Sequence, residues 1–119
     1  MRYREAMPDN NEFTDGPVLL HASDDSKDVT RGVGLAAEIL SDPGCADRVV
    51  LVVNHTAVKG LHALDGADVP KALTIVACAR ALRANGISPA SLDLHIEVVP
   101  SGIVFIAQQQ RKHGWYIRL

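Results

Sequence analysis

Five short apolar stretches of strand length recur along the chain: residues 17–22, 48–54, 73–77, 95–99 and 115–119. The second, Arg48-Val49-Val50-Leu51-Val52-Val53-Asn54, holds five apolar residues in succession, as a strand buried on both faces does. The third, Leu73 to Ala77, is short and rich in β-branched residues. Pro17 opens the first, where a missing N–H costs least.

Between these stretches the pattern changes to helical spacing. Val29, Val33, Ala36, Ala37 and Leu40 predict one apolar face of a helix running from an N-cap at Ser26 to about Ser41, with Asp42-Pro43-Gly44 as its stop. Val58, Leu61 and Leu64 predict a shorter helix from Ala57, capped by Thr56. Ala79 to Asn85 reads as a third helix, ended by Gly86. Residues 88–91 suit a helical turn. Ile103 to Lys112 reads as a last helix, with Ser101 as N-cap and Gly114 as stop. Strands of buried type alternating with helices predict an α/β fold: a three-layer α/β/α sandwich on a mainly parallel five-stranded sheet. Residues 1–16 show neither period and read as a polar N-terminal extension, leaving 17–119 as a single domain.

Composition narrows the function classes. The chain has 119 residues, 47% hydrophobic and 22% charged, with a net charge of −2. That balance lacks the basic footprint of a nucleic-acid binder. An aromatic content of 4% also disfavours a stacking platform for single strands. No apolar run is long enough for a membrane span, and no signal peptide is visible. The two cysteines, Cys45 and Cys78, make neither a disulfide framework nor a metal cluster, which suggests a cytoplasmic protein with reduced thiols and no metal site. Gly32-Val33-Gly34-Leu35-Ala36-Ala37 fits the G-x-G-x-x-A pattern, but it lies inside the first helix rather than in the turn after a strand. Close packing of helix on sheet is the expected role.

In a parallel sheet with right-handed crossovers, ligands bind outside the carboxyl ends of the strands. The residues expected at that rim are His21, Ser23, Asn54, His55, Cys78, Ser101 and Gly102. Cys78 stands where a strand ends and a helix begins, a position that favours a thiolate through first-turn N–H groups and nearby cations such as Arg80. The same residue also suits a small apolar core position. His21 and His55 can move protons. Ser101 reads first as a cap, and Cys45 falls in a surface turn.

Several of these pieces, in this order and spacing, resemble the DsrE/DsrF-like family, also called YchN-like. They are Val76-Ala77-Cys78, Leu82-Arg83-Ala84-Asn85-Gly86-Ile87, Val98-Val99-Pro100-Ser101-Gly102 and Gly114-Trp115-Tyr116-Ile117, with Asn54-His55 and Val58-Lys59-Gly60-Leu61 before them. The resemblance implies the sandwich described above and homo-oligomers, commonly trimers or hexamers. It also implies that Cys78 matches the cysteine that accepts sulfur as a persulfide in the relay members, and that His55 matches a histidine of the small single-domain members. The chain departs from the family pattern after Cys78, where Ala79-Arg80 replace the polar residue common in small members.

Two functions are therefore expected. In the first, the chain is a sulfur carrier without a cofactor. Cys78 takes sulfane sulfur from a donor protein or molecule and yields it to an acceptor, His55 orients or deprotonates, and His21, Asn54, Arg80, Ser101 and Gly102 form the binding site. In the second, the chain is a non-catalytic oligomeric module that binds a small molecule or anion at the same rim, with Cys78 an inert wall residue. A flavodoxin-like or nucleotide-binding domain is a third option, and the missing G-x-x-x-x-G-K-[ST] loop argues against it.

Overall fold

Each apolar stretch becomes a strand: β1 (Val18–Ala22), β2 (Val49–Val53), β3 (Leu73–Cys78), β4 (Ile96–Val99) and β5 (Trp115–Arg118). The computed structural model of the chain describes residues 16–119, so most of the expected extension lies outside the described residues. The strands form one sheet in the order β4-β3-β2-β1-β5, with every neighbouring pair parallel.

Both faces of the three central strands are covered. Leu19, Leu20, Leu51, Val52, Val53 and Val76 are all fully buried. Each such side chain contributes about 1.5–3 kcal/mol relative to exposure. Alternation along the strands divides the core in two. Val18, Leu20, Val49, Leu51, Val53, Leu73, Ile75 and Ala77 share one cluster. Leu19, His21, Val52 and Val76 alternate with them and face the other way.

Helix α1 (Lys27–Leu40), a 3-10 segment (His55–Leu64) and helix α2 (Ala79–Ala84) cover the first face through Val29, Ala36, Val58, Leu61, Leu64 and Leu82. Helix α3 (Gly102–Arg111) covers the second, packing on β2, β3 and β5. This division follows from handedness. Strands β1 to β4 are laid down in sequence across one face. The return from β4 to β5 runs back the other way, so a right-handed connection must use the opposite face. The result is the expected three-layer α/β/α sandwich, here with a fully parallel sheet.

Several local expectations change. Ser26 makes no side-chain cap. Asp25 Oδ1 accepts from the Lys27 N–H instead, at 2.9 Å. Ala37 is exposed, whereas Gly32 is buried against β2; a Cβ there would stand 2.8 Å from Leu51 Cδ1. Gly32 thus has the packing role read from the glycine pattern, and Gly34 faces open space. The segment after β2 is 3-10 rather than α, and Thr56 donates from Oγ1 to the Asp24 carbonyl at 2.8 Å rather than capping it. The residues before and after α2 keep their expected roles, with Gly86 in the left-handed region at φ 69°. After α3 the left-handed position falls on His113, at φ 70°, not on Gly114. Gly114 is required for another reason: a Cβ would lie 2.9 Å from the Gln109 carbonyl oxygen and from Leu19 Cδ1. Trp115 is 57% exposed on the outer strand. Among the described residues no helix is long and apolar enough to cross a membrane.

Candidate functional site

The connections after β3 and β4 leave the sheet on opposite faces. Helix α2 follows β3 onto the first face and α3 follows β4 onto the second, while the two strands stay paired to their ends, Cys78 opposite Val99. Such a divergence opens a crevice at the carboxyl ends of the strands, the usual ligand position in open α/β sheets. A cavity of about 410 Å³ lies there, lined by Asn54, His55, Cys78, Arg80, Ser101 and Ile103, with Ala81, Ala84 and Asn85 of the α2 segment closing one side.

Cys78 is the last residue of β3 and the residue immediately before α2, in an extended conformation. It is 6% exposed. Helix α2 has six residues, fewer than expected, so first-turn N–H groups and not a long macrodipole are what this helix offers the thiol. Gly102 lies against the same wall. A Cβ there would stand 3.3 Å from both Asn54 Cβ and Cys78 Cβ, which explains a glycine at the first position of α3.

Asn54 continues β2 by one residue. Its N–H donates to the Ala22 carbonyl at 3.0 Å, which keeps it in line with the sheet. His55 then turns sharply, at φ 49°. The left-handed region costs an L-residue about 1–2 kcal/mol, so the surroundings must hold it. They do so through the Asn85 side chain, whose Nδ2 donates to the His55 carbonyl at 3.2 Å and to the Ala81 carbonyl at 2.8 Å. The Ala57 N–H, donating to the Ser23 carbonyl at 2.9 Å, secures the next turn. The His55 ring stays largely in solvent at the cavity rim. Its Nδ1 is 3.6 Å from Asp24 Oδ1, and the other oxygen of that carboxylate accepts from Arg118 Nη2 at 2.7 Å.

Ser101 performs the expected cap, its Oγ accepting from the Val104 N–H at 3.3 Å. It lines the cavity while so engaged.

His21 does not line the cavity. It is buried at 3% exposure beneath the rim, on the face covered by α3. Both ring nitrogens are used: Nε2 lies 2.9 Å from Asn54 Oδ1 and Nδ1 lies 2.6 Å from the Tyr116 hydroxyl. With Nε2–H donating to Asn54 and Nδ1 accepting from Tyr116, the neutral ring satisfies all three groups. The Asn54 carbonyl oxygen is then occupied, and its amide N–H groups are left for the cavity.

The structure thus gathers Asn54, His55, Cys78, Arg80 and Ser101 around one space, with Gly102 packed against Asn54 and Cys78 without lining it and His21 reaching it through Asn54. Asn85 and Ile103 line this space, Arg83 lines the adjoining one and Tyr116 reaches the first only through His21, none of them having been read as a site residue. Tyr116 lies 95 positions from His21, and nothing local to either residue signals the pairing. Arg83 was legible in principle, because it follows Arg80 by three positions on one helix. Cys45 is exposed, as expected of a surface turn.

The arrangement offers a nucleophilic thiol, an imidazole at the rim, an amide donor and guanidinium charge, all in a recess at the strand ends. The sequence matches no family model and no curated protein. Among solved structures it is similar to the protein of unknown function MTH1491 from Methanobacterium thermoautotrophicum, with a TM-score of 0.70 and 25% sequence identity over 88% of this chain and 100% of that one.

Proposed function

We propose that the chain is a sulfur carrier of the DsrE/DsrF-like kind, in which Cys78 holds sulfane sulfur as a persulfide. The observation that carries this reading is the placement of Cys78. It is the thiol at the carboxyl end of β3, in a cavity of about 410 Å³ that also holds His55, Asn54 and Arg80. The Cys78 thiolate attacks the outer sulfur of a persulfide R–S–SH. A new S–S bond forms at Cys78 Sγ, the donor's own S–S bond breaks, and its electron pair leaves on R–S⁻. His55 takes up the Cys78 proton, and the Asn54 amide with Arg80 faces the incoming anion. A partner thiol collects the sulfur by the same exchange, so no cofactor is required.

The reading includes self-association into a trimer or hexamer and a reducing compartment such as the cytoplasm. Supporting the first, β5 is paired only with β1 among the described residues and exposes Trp115, Tyr116 and Ile117, an apolar stretch that native proteins usually cover.

The test is intact mass spectrometry after incubation with a persulfide donor, using wild type, Cys78→Ala and Cys45→Ala. A sulfur-sized adduct lost in Cys78→Ala and kept in Cys45→Ala is expected. An adduct that persists in Cys78→Ala would overturn the reading.

The low exposure of Cys78 favours a second reading, a non-catalytic oligomeric module that binds a small molecule or anion with Cys78 as wall. Failure of Cys78 to form a persulfide or to react with a small alkylating reagent would select it.

A further inference from the structure

Arg80 and Arg83 stand three residues apart on α2, on one helical face. Both line a second cavity, of about 590 Å³, whose far wall is the end of β4: Val98, Val99 and Pro100. That space adjoins the Cys78 cavity and shares Arg80 and Ser101 with it. Among the described residues no carboxylate lines either cavity. Neither Arg80 nor Arg83 has a hydrogen-bond or ion-pair partner among the described residues.

Two exposed guanidiniums without counter-charge, on a wall beside a thiol, make a field that selects the sign of what reaches that thiol. Guanidinium forks match carboxylates in particular. The wall opposite is apolar: Val98 is 40% exposed and Pro100 stands beside it. An organic body fits against that wall better than a fully hydrated inorganic ion.

We infer that the Arg80–Arg83 recess is the binding subsite for the carrier of the sulfur, and that this carrier is a small organic persulfide bearing a carboxylate. The inference rests on the persulfide reading of Cys78. The carboxylate sits on Arg83 and Arg80, and the organic body lies along Val98 and Pro100. The terminal sulfur then reaches Cys78 past Arg80. After transfer, the departing R–S⁻ is itself anionic and leaves beside Arg80.

The experiment separates the subsite from the sulfur chemistry. In a Cys45→Ser background, Cys78 alkylation is timed with iodoacetate and with iodoacetamide, which differ mainly in charge. Sulfur uptake is timed in parallel with N-acetylcysteine persulfide and with its neutral amide. The proteins compared are the background, Arg80→Gln/Arg83→Gln, Arg80→Lys/Arg83→Lys, and the distant control Arg31→Gln. The anionic-to-neutral rate ratio is expected to fall about three- to tenfold in the double Gln variant at low ionic strength. It is expected to recover in the Lys variant, to stay unchanged in Arg31→Gln, and to shrink with added salt.

A ratio that the Gln substitutions leave unchanged overturns the inference, even if Cys78 still takes up sulfur. Absence of reaction with either alkylating reagent also overturns it, because the recess then delivers nothing to the thiol. An arginine-dependent alkylation ratio without persulfide formation upholds the anion subsite and rejects the sulfur-carrier reading instead.

Discussion

His21 Nε2 lies 2.9 Å from Asn54 Oδ1, joining a buried residue of β1 to one that lines the candidate site. With the Tyr116 hydroxyl 2.6 Å from Nδ1, three polar side chains from β1, the end of β2 and β5 form one chain of hydrogen bonds. A buried imidazole with one nitrogen orphaned loses most of what burial allows it. Tyr116→Phe is therefore expected to destabilise the fold by about 1–3 kcal/mol, seen as a lower urea midpoint with an unchanged slope. An unchanged midpoint would show that the hydroxyl is not the partner of His21.

Two glycines give opposite expectations. At Gly60 a Cβ would stand 2.1 Å from the Ser26 carbonyl oxygen, where only backbone could move to make room. Gly60→Ala is expected to cost more than about 3 kcal/mol, in the range of severe core lesions. At Gly34, inside α1, a Cβ meets nothing within 4 Å. Gly34→Ala is expected to raise stability by about 0.5–1 kcal/mol through helix propensity. Thermal unfolding of the two variants checks both signs, and equal shifts would refute the close approach of the 3-10 segment to the start of α1.

The Asp93 carboxyl is held below the usual carboxylate range, first by the backbone N–H of His95 and then by its side chain. A depressed carboxyl stabilises the fold above its unfolded value, and that contribution is lost as pH falls through the lower, folded value. Because the backbone donor comes first and survives the substitution, His95→Ala is expected to leave part of the depression in place. Carboxyl carbon shifts followed through an acid titration would show it. A full return to the ordinary carboxylate value would make the ring, not the backbone, the cause.

Trp115 is the single tryptophan and is 57% exposed on β5. At high dilution its emission is expected to be that of a solvated indole. If a second copy covers the β5 edge, as the proposed oligomer requires, emission shifts to shorter wavelength as concentration rises, together with the sedimentation coefficient. Association without any change at Trp115 would move the interface elsewhere.

What the sequence determined by itself was whatever its periodicity encodes locally. The runs Val49–Val53 and Leu73–Cys78 could only be central strands, because no surface position tolerates so many successive apolar residues. Helical spacing between them then forced crossovers, a parallel sheet and a rim at the strand ends. Cys78, Asn54 and Ser101 were legible at that rim for the same reason: each ends a strand or follows one within two residues. Helix type was not legible, since Val58, Leu61 and Leu64 recur at a spacing that both α and 3-10 windings satisfy. Only the tertiary structure decided the rest. It set β5 beside β1 and so brought Tyr116 to His21. It sent α2 and α3 to opposite faces, and thereby placed Arg80 and Arg83 across a recess from Val98 and Pro100. It also left Trp115 outside, because β5 is an edge strand among the described residues and has no strand there on its outer side. These are pairings between distant parts of the chain, and no local pattern carries their energy.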